Sequence, residues 1–569
     1  MIEMETDVLI IGGGAAGLRA AIEAARCQAK TLVVLKEGIK RDSSDISSRR
    51  NAGASFRAGG GIQAAYLPDD SPQLHFEDTL KGGRFINNQK LVKALTEEVL
   101  DRVLELDSFG TKFLRNGNGD YALVKGGGCS RPRAFETESA YGGGFARGLV
   151  QEFNRLQIPV LENVFISNLI IQENRVMGAV GFNQTSGEMV ALHGKAVILT
   201  AGGAGQLFSL TTQPSGATGD GYILGLAAGA RLVDMEFVQW RMCALTPEVV
   251  RGFPPPPFGG LSAYGGRYYN CLGERYMKKY DPKRLELTTR DLISIAAARE
   301  IREGRGTGNS GVWCDMSGVE EEVLNRFDFI QDCRNAGLDP SWQPIEWAPG
   351  VHHFMGGVEI NEDCSTSVEG LFAAGEVAGG VHGANRLVGN ALGESLVFGR
   401  RAGLYAAEFA ANSGASTAGD GNFVSNERKT LQDLEQVSSG MDPLELRSQI
   451  QKKAGSLLGA VKNAGEISEI SEHLQRWERE GTWRGHATGQ NAIQTVRLSI
   501  ENRNLLQTGR TITKSAERRL ESRGSHYRED FPEEKPEFLQ NIVAKLGEGG
   551  IVTERRSVIS IAPFNKDSR

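Results

Sequence analysis

The segment "TDVLIIGGGAAGLRAAIEAARCQAKTLVVLKE", residues 6–37, constrains the fold more than any other part of the chain. A β-branched run leads into Gly12-Gly13-Gly14. Small residues at helical spacing follow, then a second apolar run, and the pattern reads as strand, helix, strand. Gly12, Gly14 and Gly17 meet the dinucleotide fingerprint. The first makes the turn, the second lets a pyrophosphate approach the backbone, and the third lets helix and strand pack closely. The helix start, at Ala16, turns its free N–H groups toward the phosphates. The acid that commonly ends the second strand and binds a ribose is absent. That strand ends Leu35-Lys36, and Glu37 just beyond it is either a ribose ligand or an ordinary exposed glutamate.

A chain of 569 residues is too long for one hydrophobic core. With 40% hydrophobic residues, 24% charged residues and a formal charge of −6, it reads as globular, with no affinity for nucleic acid. Its 72 glycines fall in short clusters that admit close backbone approach to a large bound cofactor. No apolar run approaches the roughly 18 residues of a membrane-crossing helix, and the start lacks a basic signal-peptide flank. The expectation is therefore a cytoplasmic chain with no transmembrane segment of its own. The seven cysteines are widely spaced without a C-x-x-C pair, so we expect reduced thiols and neither a metal nor an iron–sulfur cluster held by this chain.

"KAVILTAGGAGQLF" is a second strand-then-glycine element, carrying Ala201 and Gly202. Residues 86–110 show an apolar helical face through Leu91, Leu95, Val99 and Val103. From about residue 240 the texture changes. "RGFPPPPFGG" reads as rigid and extended, and "EEVLNRFDFIQDCRNAGLD" as an inserted helix. "GLFAAGE" at 370–376 then returns to strand, glycine and acid, before a Ser/Gly/Ala linker and charged amphipathic helices. The predicted organisation is a nucleotide-binding domain at 1–238, a capping or substrate domain at 239–349, the resumed nucleotide domain at 350–410, and a helical domain with a tail at 411–569.

The ordered motifs GGGAAG, A-x-GG-I, T-G-D-G, M-E-F-V-Q, G-E-R-Y, T-R-D, H-x-x-M-GG, G-L-F-A-A-G-E, H-G-A-N-R-L and E-S-R-G-x-H-Y-R-E-D span residues 5–532. In this order the chain resembles the flavoprotein subunits of fumarate reductase and succinate dehydrogenase. L-aspartate oxidase shares the pattern, and the α subunit of adenylylsulfate reductase is more distant. The resemblance implies an α/β fold: a Rossmann-like FAD-binding domain with an inserted α+β capping domain and a C-terminal helical domain. It implies FAD, held by Gly12, Gly14, Ala16, Gly17, Lys36, Glu37, Ala58, Gly60, Gly61, Ala201, Gly202, Asp220, Glu376, Asn390 and Leu392. Respiratory members attach the flavin through a histidine whose position is Ala54 here, so non-covalent FAD is expected. The resemblance also implies that His352 and Arg386 bind a substrate carboxylate, that Arg290 delivers a proton, and that an iron–sulfur partner subunit supplies electrons. Through such partners the chain could sit at the inner face of a membrane.

One segment departs from the family. Dicarboxylate-handling members read F-V-Q-F-H-P-T-G followed by T-E-x-x-R-G-E-G, whereas this chain has Trp240-Arg241-Met242-Cys243 and then "PPPP". Arg241 is a candidate anion contact, Trp240 a candidate stacking wall and His353 a further candidate substrate contact. Repacking at a domain junction is the alternative for Trp240 and Arg241. The leading reading is an enzyme that moves hydride between flavin N5 and a carbon–carbon bond beside a carboxylate or similar small anion. The other readings are an L-aspartate oxidase, a flavoprotein like that of adenylylsulfate reductase, and a non-catalytic electron-transfer flavoprotein subunit.

Overall fold

The computed structural model describes residues 1–38, 53–58, 61–138, 144–253, 264–325, 327–414, 421–437, 440–485 and 492–561. Gly60, most of the Ser/Arg-rich loop, the proline run and the middle of the Ser/Gly/Ala linker lie outside them.

The opening segment forms strand Ile2–Ile11, helix Ala15–Arg26 and strand Thr31–Val34, with the two strands parallel and Val8 opposite Thr31. These strands belong to a seven-stranded sheet that also contains Val160–Leu161, Val164–Gln172, Arg175–Asn183, Met189–Leu199 and Leu371–Ala373. Strand Met189–Leu199 forks. Its first half pairs antiparallel with Arg175–Asn183, and its last three residues pair parallel with Leu371–Ala373. A strand encoded about 170 residues later thus returns to the same sheet, which makes the stretch between them an insertion.

Helix Asn390–Asn412 covers this sheet by lying across Ala15–Arg26. The two helices meet backbone to backbone, because a Cβ at Gly399 would lie 2.6 Å from the Ala16 carbonyl oxygen and one at Gly403 2.3 Å from that of Ala20. The "GRRAG" spacing is what permits that approach.

The insertion builds an antiparallel sheet in the order Val238–Ala244, Ile345–Phe354, Val312–Asp315, Arg267–Tyr269, with helix Arg290–Glu300 packed on it. It has its own core around Trp347, Ile345, Phe329, Ile330 and Tyr276. The segment read as one inserted helix is two short ones, Glu321–Leu324 and Asp328–Asn335.

Helices Pro443–Leu457, Ala464–Arg479 and Ala492–Arg518 form the C-terminal unit, the second opened by a capping box between Asn463 and Glu466. The region is not wholly helical. Strands Gln540–Gly547 and Gly550–Ser557 make a hairpin that extends a sheet containing Leu232–Val233 and Gly357–Glu359. "LGEGGI" between alternating apolar residues carried that hairpin signal. Between helix and hairpin, buried Arg519 bonds Glu236 at 2.6 Å and Glu521 at 3.1 Å. Ser525 donates both its N–H and its hydroxyl to the Ala384 carbonyl. The E-S-R-G-x-H motif thereby props the loop that carries Arg386.

Replacing Gly403 by Leu should lower the unfolding temperature through a loss of about 1–3 kcal/mol, since the added side chain has no room at the helix crossing. Gly308→Ala, where a Cβ meets nothing within 4 Å, should stay within about 0.5 kcal/mol of the parent in the same melts.

Candidate active site

A cavity of about 350 Å³ runs from the glycine turn to the inserted unit. At one end Gly12 sits at φ +115°, and a Cβ there would lie 2.4 Å from the Thr200 carbonyl oxygen. Gly17 admits the helix by the same logic, since its Cβ would fall 2.0 Å from the Gly12 carbonyl oxygen. Ser55 Oγ accepts a hydrogen bond from Ala15 N–H at the helix start. This bare-backbone cradle at a helix N-terminus fits a dinucleotide pyrophosphate.

Of the residues tied by resemblance to FAD, Gly12, Gly14, Ala16, Lys36, Glu37, Ala58, Gly61, Ala201, Gly202, Asp220, Glu376 and Leu392 line the cavity. Gly17 does not, because it is consumed in the helix–strand crossing. Asn390 does not line it either. Its amide oxygen meets His75 Nε2 at 3.0 Å and its amide nitrogen donates to Thr79 Oγ1, so it ties two helices together. Lys36 is occupied by the protein itself: its ammonium contacts Asp220 at 2.9 Å and Glu501 at 2.6 Å. Glu501 comes from helix Ala492–Arg518, a partner no local pattern around Lys36 could have named. Ala54 lines the cavity too, and its methyl group offers no atom for a covalent link to the flavin.

At the other end Arg241, Arg290, Arg386 and His352 converge. Neither Arg290 nor Arg386 has an ion-pair partner among the described residues. Burial, with Arg241 and Arg386 nearby, pulls Arg290 well below the usual guanidinium range. Burial likewise brings Arg386 down to about 10, despite Glu376 near it. His352 is driven well below its usual value by burial and then by Arg241, Arg386 and Arg290, and its Nδ1 is hydrogen-bonded to Thr212 Oγ1 at 2.8 Å. These neighbours disfavour the charged imidazolium, and the Thr212 contact orients the ring.

Trp240 is absent from this wall, which corrects the stacking expectation. Neighbouring residues of a strand point to opposite faces, and Arg241 takes the cavity side. Trp240 is buried instead against Phe208, ring centroids 5.3 Å apart and planes at 81°.

The three arginines arrive on separate elements, and the residues beside them bind one another. Gln239, two before Arg241, donates to Asn385 Oδ1 at 2.8 Å and to the Arg386 carbonyl at 2.9 Å. Asn385, one before Arg386, donates to Asp291 Oδ1 at 3.3 Å, and Asp291 follows Arg290. Sequence reasoning missed Gln239, Asn385, Asp291 and Thr212. The first three had a signal, their places inside the F-V-Q, G-A-N-R and T-R-D motifs, whereas Thr212 had none.

His353 also lines the cavity, with Nδ1 3.4 Å from Glu376 Oε1. Glu376 accepts from Phe354 N–H at 2.9 Å and from the Gln213 amide. Burial raises it to about 7, against the pull of the Phe354 N–H, Arg386 and Gln213.

Comparison with known proteins agrees with this geometry. A family described as FAD binding domain matches residues 7–392, and one described as fumarate reductase flavoprotein C-term matches 447–561. An uncharacterized FAD-dependent oxidoreductase of Methanocaldococcus jannaschii is 38% identical over 95% of this chain and 96% of its own length. A subunit of the fumarate reductase (CoM/CoB) of Methanothermobacter marburgensis is 38% identical over 95% and 97%. L-aspartate oxidase of Streptomyces coelicolor is 32% identical over 95% and 91%. The structure of Mycobacterium smegmatis Sdh1 with UQ1 superposes with a TM-score of 0.89 at 30% identity, covering 98% of this chain and 95% of that one. The chain belongs to the FAD-dependent oxidoreductases of the fumarate reductase and succinate dehydrogenase flavoprotein type. Among its described residues no helix is long and apolar enough to cross a membrane.

Glu376 gives a pH-dependent test. Its folded pKa lies above the unfolded 4.5, so between pH 4.5 and about 7 the native state keeps a proton that the unfolded chain has lost. Stability should therefore fall as pH rises through that window, by about 3 kcal/mol at roughly 1.4 kcal/mol per unit. In melts of the FAD-free protein Glu376→Gln should match the parent at pH 4.5 and exceed it at pH 8.

Proposed function

We propose that this protein reduces a carbon–carbon double bond conjugated to carboxylate, with an iron–sulfur partner protein delivering the electrons. One observation carries the reading: three guanidiniums, those of buried Arg241 and Arg386 and of half-buried Arg290, meet the His352 imidazole at one end of the cofactor cavity, and Arg290 and Arg386 have no ion-pair partner among the described residues. A buried cation without a counter-ion costs several kcal/mol, and a bound dianion removes that cost. FAD, bound non-covalently in the cavity, supplies the hydride chemistry.

In this reading Arg386 and His352 hold one carboxylate, the imidazole by donating its Nε2–H. Arg241 grips the second carboxylate, replacing the family's clamp with a bidentate donor. Arg290 donates the proton to the carbon opposite the one that receives hydride. Its lowered pKa makes the guanidinium a better acid than it is in water. Thr212 fixes the imidazole, and Gln239 and Asn385 hold the arginines in register. Phe253 contributes apolar wall that keeps water from competing for the proton.

The likeness to the fumarate reductase (CoM/CoB) protein, itself one subunit of its enzyme, supports both the reaction and a multi-subunit setting. An L-aspartate oxidase is less compatible with the site, since the substrate's α-ammonium would lie among three guanidiniums.

Stopped-flow mixing of the reduced enzyme with a panel of mono- and dicarboxylate enoates should show flavin reoxidation fastest with a dicarboxylate. Silence across the panel, or peroxide formation with L-aspartate, would overturn the reading. Arg290→Met should slow reoxidation by a factor of about 10²–10⁴ with FAD content unchanged. Arg241→Leu should raise KM for the dicarboxylate far more than for a monocarboxylate.

A further inference from the structure

At His353 the cavity wall belongs to a second set of ligand-type side chains. His353, His382 and Glu394 are all buried, at 5%, 3% and 1% exposure, and one ligand atom of each lies within 4.8 Å of the others. They come from three rigid places: strand Ile345–Phe354, the loop that carries Arg386, and the first turns of helix Asn390–Asn412. His382 Nε2 and Glu394 Oε2 are 2.9 Å apart, and the rings of His353 and His382 are 5.3 Å apart at 65°.

Two ring nitrogens here, His353 Nε2 and His382 Nδ1, are buried without a hydrogen-bond partner among the described residues. Buried polar atoms in native proteins nearly always have one. His353 also carries an outer carboxylate: Glu376 faces its Nδ1, which leaves Nε2 as the ligand nitrogen. A carboxylate behind a ligating histidine recurs at metal sites, where it fixes the tautomer and ring orientation.

We propose that His353, His382 and Glu394 bind one divalent cation of the borderline class, such as Zn²⁺ or Co²⁺. Two imidazoles and one carboxylate suit these ions, whereas Mg²⁺ and Ca²⁺ favour oxygen ligands. Three protein ligands leave a fourth position for a small donor. Arg386 is the nearby opposing charge, and Glu394 and Glu376 are the compensating ones. The ion would pin strand, loop and helix together behind Arg386. It has no part in the hydride step, and the inference stands or falls independently of the proposed reaction.

The test uses the full-length FAD-loaded protein, freed of metal by a chelator and titrated with Co²⁺ by calorimetry and by ligand-field absorption to the red of the flavin bands. One Co²⁺ per chain, displaced by Zn²⁺, is expected. His353→Phe and Glu394→Gln should each abolish stoichiometric binding, and Glu376→Gln should weaken it by about 10–100-fold. His473→Asn, on the separate helix Ala464–Arg479, should leave it unchanged. The flavin spectrum and a melt confirm folding of each variant, and His353→Gln replaces His353→Phe if the latter does not fold. Absence of stoichiometric binding in the parent, or binding that survives both His353 variants, overturns the proposal.

Discussion

Two guanidiniums, buried Arg386 and half-buried Arg290, with no ion-pair partners among the described residues, set the terms for the rest of this structure. Their mutual repulsion and lost hydration work against folding, so the surrounding framework has to hold them in place. The Gln239–Asn385–Asp291 bridge does so by tying the strand, loop and helix that carry Arg241, Arg386 and Arg290. Ser525 props the same loop from the C-terminal unit, and Arg519 with Glu236 and Glu521 holds that unit down. A chain of polar contacts thus runs from the last third of the sequence to the arginine-lined end of the cavity.

The cofactor end is built by the opposite means. There the requirement is closeness, met by removing side chains: Gly12 against the Thr200 carbonyl, Gly17 against Gly12, Gly399 and Gly403 against Ala16 and Ala20. Backbone polar groups then face the cavity where a pyrophosphate fits. Bare backbone lies at one end of the cavity and a cluster of cations at the other.

Much of this was legible in the chain. The strand–helix–strand opening was readable because its periodicity and glycines are local. The return of "GLFAAGE" to the first domain was readable because an interrupted pattern resumes. The motifs around Arg290, His352 and Arg386 single them out, and the structure brings all three to one end of the cavity. The C-terminal hairpin was overlooked although "LGEGGI" signalled it, because charged helical periodicity dominated the preceding hundred residues. Of the two readings of Trp240, a stacking wall or repacking at a domain junction, the packing against Phe208 matches the second.

The sequence by itself determined the strand–helix–strand opening with its phosphate-binding glycines, since these depend on residue type within a short window, and the order of its motifs carried the resemblance that implies FAD. Only the tertiary structure decided which charges remain uncompensated and which side chains meet. Lys36 is spent on Glu501 from a helix more than 450 residues away, Asn390 is turned onto His75, and His353 meets His382 and Glu394 across three elements. Such pairings depend on how distant segments pack, and no local pattern encodes them.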